Sequence, residues 1–180
     1  MGDVPISTGK LTASLLFAGE GKAVYIQHAD SKNRPLLSQF QVADSGMLKA
    51  FSPQQITIEG KILTLVLSPT GRNLYVNTVH NGKRSDRFLV AFSIEESGQL
   101  RRVSPQRTET GLNAGLPFID ASGRYLYLLA SPFIAAKPAQ SFRKQSGLHR
   151  FEIGKDGNLK LRGVTDFRGN YLWDMVFVSK

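Results

Sequence analysis

The chain has 180 residues, 41% of them hydrophobic, and 23 Lys and Arg against 14 Asp and Glu give a formal charge of +9. It has no cysteine, which excludes disulfides, thiolate zinc sites and cysteine nucleophiles together. No apolar run approaches the roughly 18 residues of a membrane-spanning helix, and the excess of base points toward anionic partners.

Met1-Gly2-Asp3-Val4-Pro5 opens the chain without a positive cluster followed by an apolar stretch. No signal peptide is therefore expected, and the predicted compartment is the cytoplasm, or the periplasm if a leader has been trimmed. Leu11–Phe17 is the first predicted strand. Gly21-Lys22-Ala23-Val24-Tyr25 follows, then Phe40, Gly46, Leu48 and Pro53.

The same frame then returns. Lys61–Leu67 is rich in branched and apolar residues, Ser68-Pro69-Thr70-Gly71 supplies a turn, and Leu74–Val79 resumes a strand. Phe88–Ile94 is the third strand of this copy. Glu95-Glu96-Ser97-Gly98 closes a second hairpin, where glycine takes the positive φ the turn demands. Leu100–Val103 is the fourth, with Arg101 and Arg102 blunting an outer edge. In the third copy Leu116–Asp120 precedes Gly123-Arg124-Tyr125-Leu126-Tyr127, and Phe151, Gly157 and Leu159 come later.

The three Gly-x-x-x-Tyr tyrosines lie 50 and 52 residues apart, and in every copy a glycine falls six residues after the phenylalanine. No segment sustains a helical apolar period, so an all-β fold is predicted. Repeats of this length with four strands each indicate β-propeller blades. The blades are placed at about residues 11–58, 61–108 and 114–166, with the first strand of a further blade at 171–178. Three blades cannot close a ring within one chain. The expectation is a piece of a longer protein, or two copies completing one ring as a homodimer.

Chemistry is expected in the loops between second and third strands, Asp30–Pro35, Asn81–Arg87 and Ser131–Gly147. They carry Lys32, Arg34, Lys83, Arg84, Arg87, Lys137, Arg143 and Lys144 against Asp30 and Asp86. One rim would then be positive and suited to phosphate or carboxylate, with Lys83, Arg84, Arg87, Arg143 and Lys144 the predicted anion-binding residues. His80, beside the second loop, is the weak candidate for a catalytic base. His28, His80 and His149 share no repeat position and no ligand spacing, so no metal is expected, and no cofactor motif occurs.

Ser68-Pro69-Thr70-Gly71-Arg72-Asn73-Leu74-Tyr75-Val76-Asn77 and Asp120-Ala121-Ser122-Gly123-Arg124-Tyr125-Leu126-Tyr127, together with Phe92-Ser93-Ile94-Glu95-Glu96-Ser97-Gly98-Gln99-Leu100, resemble the lactonase-type seven-bladed propellers. That family includes the propeller form of 6-phosphogluconolactonase and the Tyr-Val-Thr-Asn repeat proteins. The resemblance implies the fold over nearly the whole chain. Its members often begin a blade with Pro, then Arg or His, then His; here Leu116-Pro117-Phe118-Ile119 keeps only the proline, so no catalytic residue carries over.

Three functions are weighed in order. The first is a propeller module that binds an anionic small molecule or a protein partner through the basic rim. The second is a sugar-lactone hydrolase, 6-phosphogluconolactonase-like, or a fragment of one. Nonspecific nucleic-acid binding ranks last, because the recurrent aromatics fall at core positions and leave no exposed stacking platform.

Overall fold

The computed structural model describes residues 11–79, 87–103, 107–111, 114–130 and 147–166. Among these, all regular structure is strand. β1 (Leu11–Ala18), β2 (Ala23–Ala29), β3 (Pro35–Val42) and β4 (Leu48–Thr57) form the first antiparallel sheet in sequence order. The second holds β5 (Lys61–Leu67), β6 (Asn73–Val79), β7 (Arg87–Ile94) and β8 (Leu100–Arg102), and β9 (Thr108–Gly111) also pairs with β7. The third is β10 (Ala114–Ile119), β11 (Tyr125–Ala130), β12 (Gly147–Ile153) and β13 (Leu159–Thr165). These are three blades of an unclosed propeller, whose first strands β1, β5 and β10 are neighbours. The strand predicted at 171–178 lies outside the described residues.

The first and the last hairpin are built alike from blade to blade. Gly21, Gly71 and Gly123 donate to the carbonyls of Ala18, Ser68 and Asp120 across the first turn. Ser68 Oγ and Asp120 Oδ1 add bonds from the amides of Asn73 and Tyr125 at 3.0 and 2.9 Å. At the second turn Gly46, Gly98 and Gly157 donate to Ala43, Glu95 and Gly154 at 2.8, 2.8 and 2.9 Å. All three have φ between +79° and +90°, a region where a side chain is strained.

Burial is deepest in the second and third strands. β6 is buried from Asn73 through Thr78, whereas most of β5 is only half-buried. The nearly continuous apolar character of β5 therefore does not mean that it is covered on both faces. It borders the propeller axis, while β6 and β7 lie between blades.

Two cores join the three sheets. Tyr25 and Leu37 of the first blade pack with Ile62, Leu74, Val76, Val90, Phe92 and Leu100 of the second. Tyr75, Leu89 and Ala91 of the second pack with Leu126, Leu128, Phe151 and Leu159 of the third. The alternation of strand side chains makes this possible, since each blade offers one apolar set to each neighbour. Truncating a fully buried aromatic such as Phe92 to alanine would cost about 3–5 kcal/mol.

Polar latches cross the same interfaces. The Tyr25 hydroxyl donates to Gly98 O at 2.7 Å, and the Tyr75 hydroxyl donates to Gly157 O at 3.0 Å. Tyr25 and Tyr75 thus each clasp the last turn of the next blade. An added Cβ at Gly98 would lie 2.7 Å from Ala23 Cβ, and one at Gly157 would lie 2.1 Å from the Asn73 side chain. Glycine is required there by close approach as well as by φ. Gln39, fully buried, donates to Pro53 O at 2.7 Å and accepts from the Leu100 amide at 2.8 Å. Pro53 sits on the outer strand, within the register break between Ala50 and Gln55, where a missing donor is tolerated.

Candidate functional site at the propeller rim

Every blade has an irregularity at the start of its first strand. The register shifts between Thr12 and Ser14, between Ile62 and Thr64, and between Ala114 and Pro117. Bulges of this kind free a carbonyl and re-aim the chain, and they recur beside sites. The freed groups are met from the preceding blade: Gln27 Nε2 donates to Ile62 O at 3.2 Å and Asn77 Nδ2 donates to Gly115 O at 3.0 Å. Gln27 and Asn77 occupy the same repeat position, two residues after the tyrosine. That polar residue in an otherwise apolar strand was the available sequence signal, and it was missed.

A buried polar layer therefore underlies the rim. His28 Nε2 lies 2.7 Å from Ser38 Oγ, and Thr78 Oγ1 donates to Phe88 O at 3.4 Å. His28 Nδ1, Asn77 Oδ1 and Thr110 Oγ1 are buried with no protein partner, so this layer has hydrogen-bonding capacity in reserve. On the first strands the rim carries the exposed Ser14 and Lys61, while Arg107, just before β9 on the outer side of the second blade, pairs with Glu59 at 3.2 Å.

The loop at Asp30–Pro35 folds onto its own carboxylate. Asp30 Oδ1 accepts the amides of Lys32 and Arg34 at 2.9 and 2.8 Å, and Oδ2 pairs with Arg34 Nε at 2.6 Å. The backbone and side-chain donation from Arg34, joined by the Lys32 amide, holds the Asp30 carboxyl below its ordinary range against some desolvation. Arg34, counted among the rim cations, is thus spent largely on the loop itself.

Arg87 is held differently. It begins β7 and is paired on one side with Val79 and on the other with Gly111. The side chain is half-buried, and desolvation pushes its pKa below the usual arginine value. Because it stands on a third strand, it lies toward the outer part of the rim and not on the axis. His80, Lys83, Arg84, Arg143 and Lys144 fall outside the described residues. Among the described residues no group of His, Cys, Asp and Glu could hold a metal ion.

The fold and rim define the chain as a segment of a β-propeller. Comparison with protein-family models gives no match, and neither does comparison with curated protein sequences. Solved structures do match. A protein from Bacteroides fragilis proposed to be a 6-phosphogluconolactonase aligns at 21% identity and a TM-score of 0.59, over 83% of this chain and 37% of that one. A counterpart from Bacteroides uniformis, proposed to have the same activity, aligns at 22% identity and 0.59, over 84% and 40%. The periplasmic gluconolactonase of Pseudomonas aeruginosa aligns at 18% and 0.57, over 89% and 42%. The chain has the blade architecture of these lactonase-type propellers and spans about two fifths of their length. No helix is long and apolar enough to cross a membrane among the described residues.

Proposed function

We infer that this propeller segment binds an anionic small molecule, of the class of a sugar phosphate or sugar acid, at the rim where the second-to-third-strand loops emerge. Arg87 carries the reading. A guanidinium offers five N–H donors, more than one carboxylate can take, and one held partly out of water gains from a further anionic contact.

Isothermal titration with 6-phosphogluconate is the direct test. Saturable binding that weakens about tenfold or more in Arg87→Ala supports the reading. Absence of heat at millimolar ligand refutes it.

Hydrolysis of a sugar lactone is the second reading, supported by the names of the similar solved structures. Water adds to the lactone carbonyl, the ring C–O bond breaks, and the proton taken from water ends on the departing alkoxide. A cation polarises the carbonyl and a base activates the water. Decay of 6-phosphogluconolactone faster than the spontaneous rate, and returned to it by His80→Ala or Arg87→Ala, supports hydrolysis. Equal rates with and without the protein remove it.

A further inference from the structure

The repeat makes each blade a control for the others, and the three outer edges are not equally guarded. An edge strand turns the N–H and C=O of every second residue outward, and a proline or a break there discourages another strand from pairing. In the first blade β4 carries Pro53 within its register break. In the second, β8 ends after three residues and β9 takes its place beside β7. Pro53 and Pro105 each lie five residues after the repeat leucine, Leu48 or Leu100; five residues after Leu159 stands Val164. β13 therefore runs from Leu159 to Thr165 without proline and, among the described residues, pairs with β12 alone. Beyond Leu159 every residue of β13 is exposed, and a Cβ added at Gly163 would meet nothing within 4 Å.

The side chains along this edge are sorted by face. Leu161 stands opposite Phe151 and Val164 opposite His149, on the face turned to the second blade, yet they are 49% and 41% exposed. Lys160 stands opposite Glu152 on the other face, where Arg162 also donates to the Glu152 carboxylate. Arg150, two residues before Glu152 on β12, shares that face and is exposed. Three cations thus surround one carboxylate.

We propose that the β13 edge takes an extended segment of a partner protein as a fifth strand, and that this segment alternates acidic and apolar residues. Its acidic side chains lie beside Lys160 and Arg162, its apolar ones lie beside Leu161 and Val164, and its backbone continues the ladder. Cross-strand pairs of opposite charge, and apolar pairs, each stabilise such a ladder. The same cations select against a second copy of β13, because edge-to-edge pairing of two copies sets cation beside cation on one face. The edge is separate from the loops of the rim, so the inference stands apart from the ligand proposed there.

The probe is a fluorescein-labelled peptide of alternating glutamate and valine, titrated by anisotropy against the 180-residue chain. Saturable binding is expected, at least about tenfold tighter than that of an all-glutamate peptide of equal length. Lys160→Glu should weaken it at least about tenfold, and a peptide with lysine in place of glutamate should then bind this variant better than it binds the wild type. Lys49→Glu changes the same repeat position on the strand that carries Pro53 and should leave binding unchanged; circular dichroism checks that both variants keep the strand signal. Methylating alternate backbone nitrogens of the peptide separates a ladder from mere charge attraction. One set of methyl groups should abolish binding and the other should leave it, because a fifth strand pairs along one edge only. The proposal is overturned by no binding at millimolar peptide, by equal losses in Lys49→Glu and Lys160→Glu, by an all-glutamate peptide that binds as well, or by methylation that acts alike in both sets.

Discussion

Replacing Tyr25 by phenylalanine isolates the latch that joins the first two blades. Both rings fill the same fully buried space, so the apolar contacts with Leu74, Phe92 and Leu100 are kept and only the hydroxyl is lost. That hydroxyl donates to Gly98 O at 2.7 Å from 0% exposure. A net bond is worth about 1 kcal/mol, and a buried carbonyl left unmet costs about 1–3 kcal/mol, so a loss near 2 kcal/mol is expected. For a chain of this length each kcal/mol moves Tm by about 2–4 °C, which makes the shift about 4–8 °C. Urea and thermal unfolding followed by circular dichroism read both quantities. Tyr75→Phe probes the equivalent bond to Gly157 at 3.0 Å, and the two losses should add because they belong to different interfaces. If both variants lose under about 0.3 kcal/mol, less than the weakest net hydrogen bond expected, the tyrosines are merely packed and the latch argument fails.

Asn77→Leu removes the donation from Asn77 Nδ2 to the Gly115 carbonyl at the third blade's bulge and should lose about 1–3 kcal/mol in the same unfolding assay. Gly98→Ala forces a Cβ to within 2.7 Å of Ala23 at φ +90°, whereas Gly46→Ala meets strain in φ but open space; the first should be the more destabilising by about 1 kcal/mol or more in a single-chain particle. Burial, joined at Tyr75 by the charge of Asp156, pushes the Tyr25 and Tyr75 phenols above their ordinary range. A raised folded-state pKa means full stability below the unfolded value of about 10 and a decline as pH rises past it, so alkaline urea titrations should show that decline and the Tyr25→Phe, Tyr75→Phe double variant should flatten it. Asp30→Ala should release Arg34 to solvent and strengthen retention on an anionic column at low salt, a gain that disappears as salt is raised.

The blades were legible because their punctuation is local. Gly-x-x-x-Tyr and the glycine six residues after each phenylalanine are turn and core positions, and both recur with fixed spacing. What those residues touch was not legible. A periodic sequence looks the same when shifted by one period, so spacing alone could not tell that Tyr25 bonds to Gly98 of the next blade and not to Gly46 of its own. The bulge at Ile62–Thr64 was hidden for another reason, since Leu63 continues an apolar run and leaves no break in pattern. At the rim, net charge overstated what is free to act. Asp30 and Arg34 flank a short loop at a spacing that invites a pair, and the structure makes that pair.

The latch bonds span 73 and 82 residues, and this bears on how the molecule is assembled. The first sheet has all four strands by Thr57, yet its Tyr25 partner is Gly98 and Leu37 packs with Leu100, both in the second hairpin of the next sheet. On the ribosome, a finished first sheet would therefore wait for about forty further residues before its inner face is sealed, a delay of a few seconds at ordinary elongation rates. Each of the first two sheets is thus a template completed by its successor, so order propagates toward the C-terminus in steps of one blade.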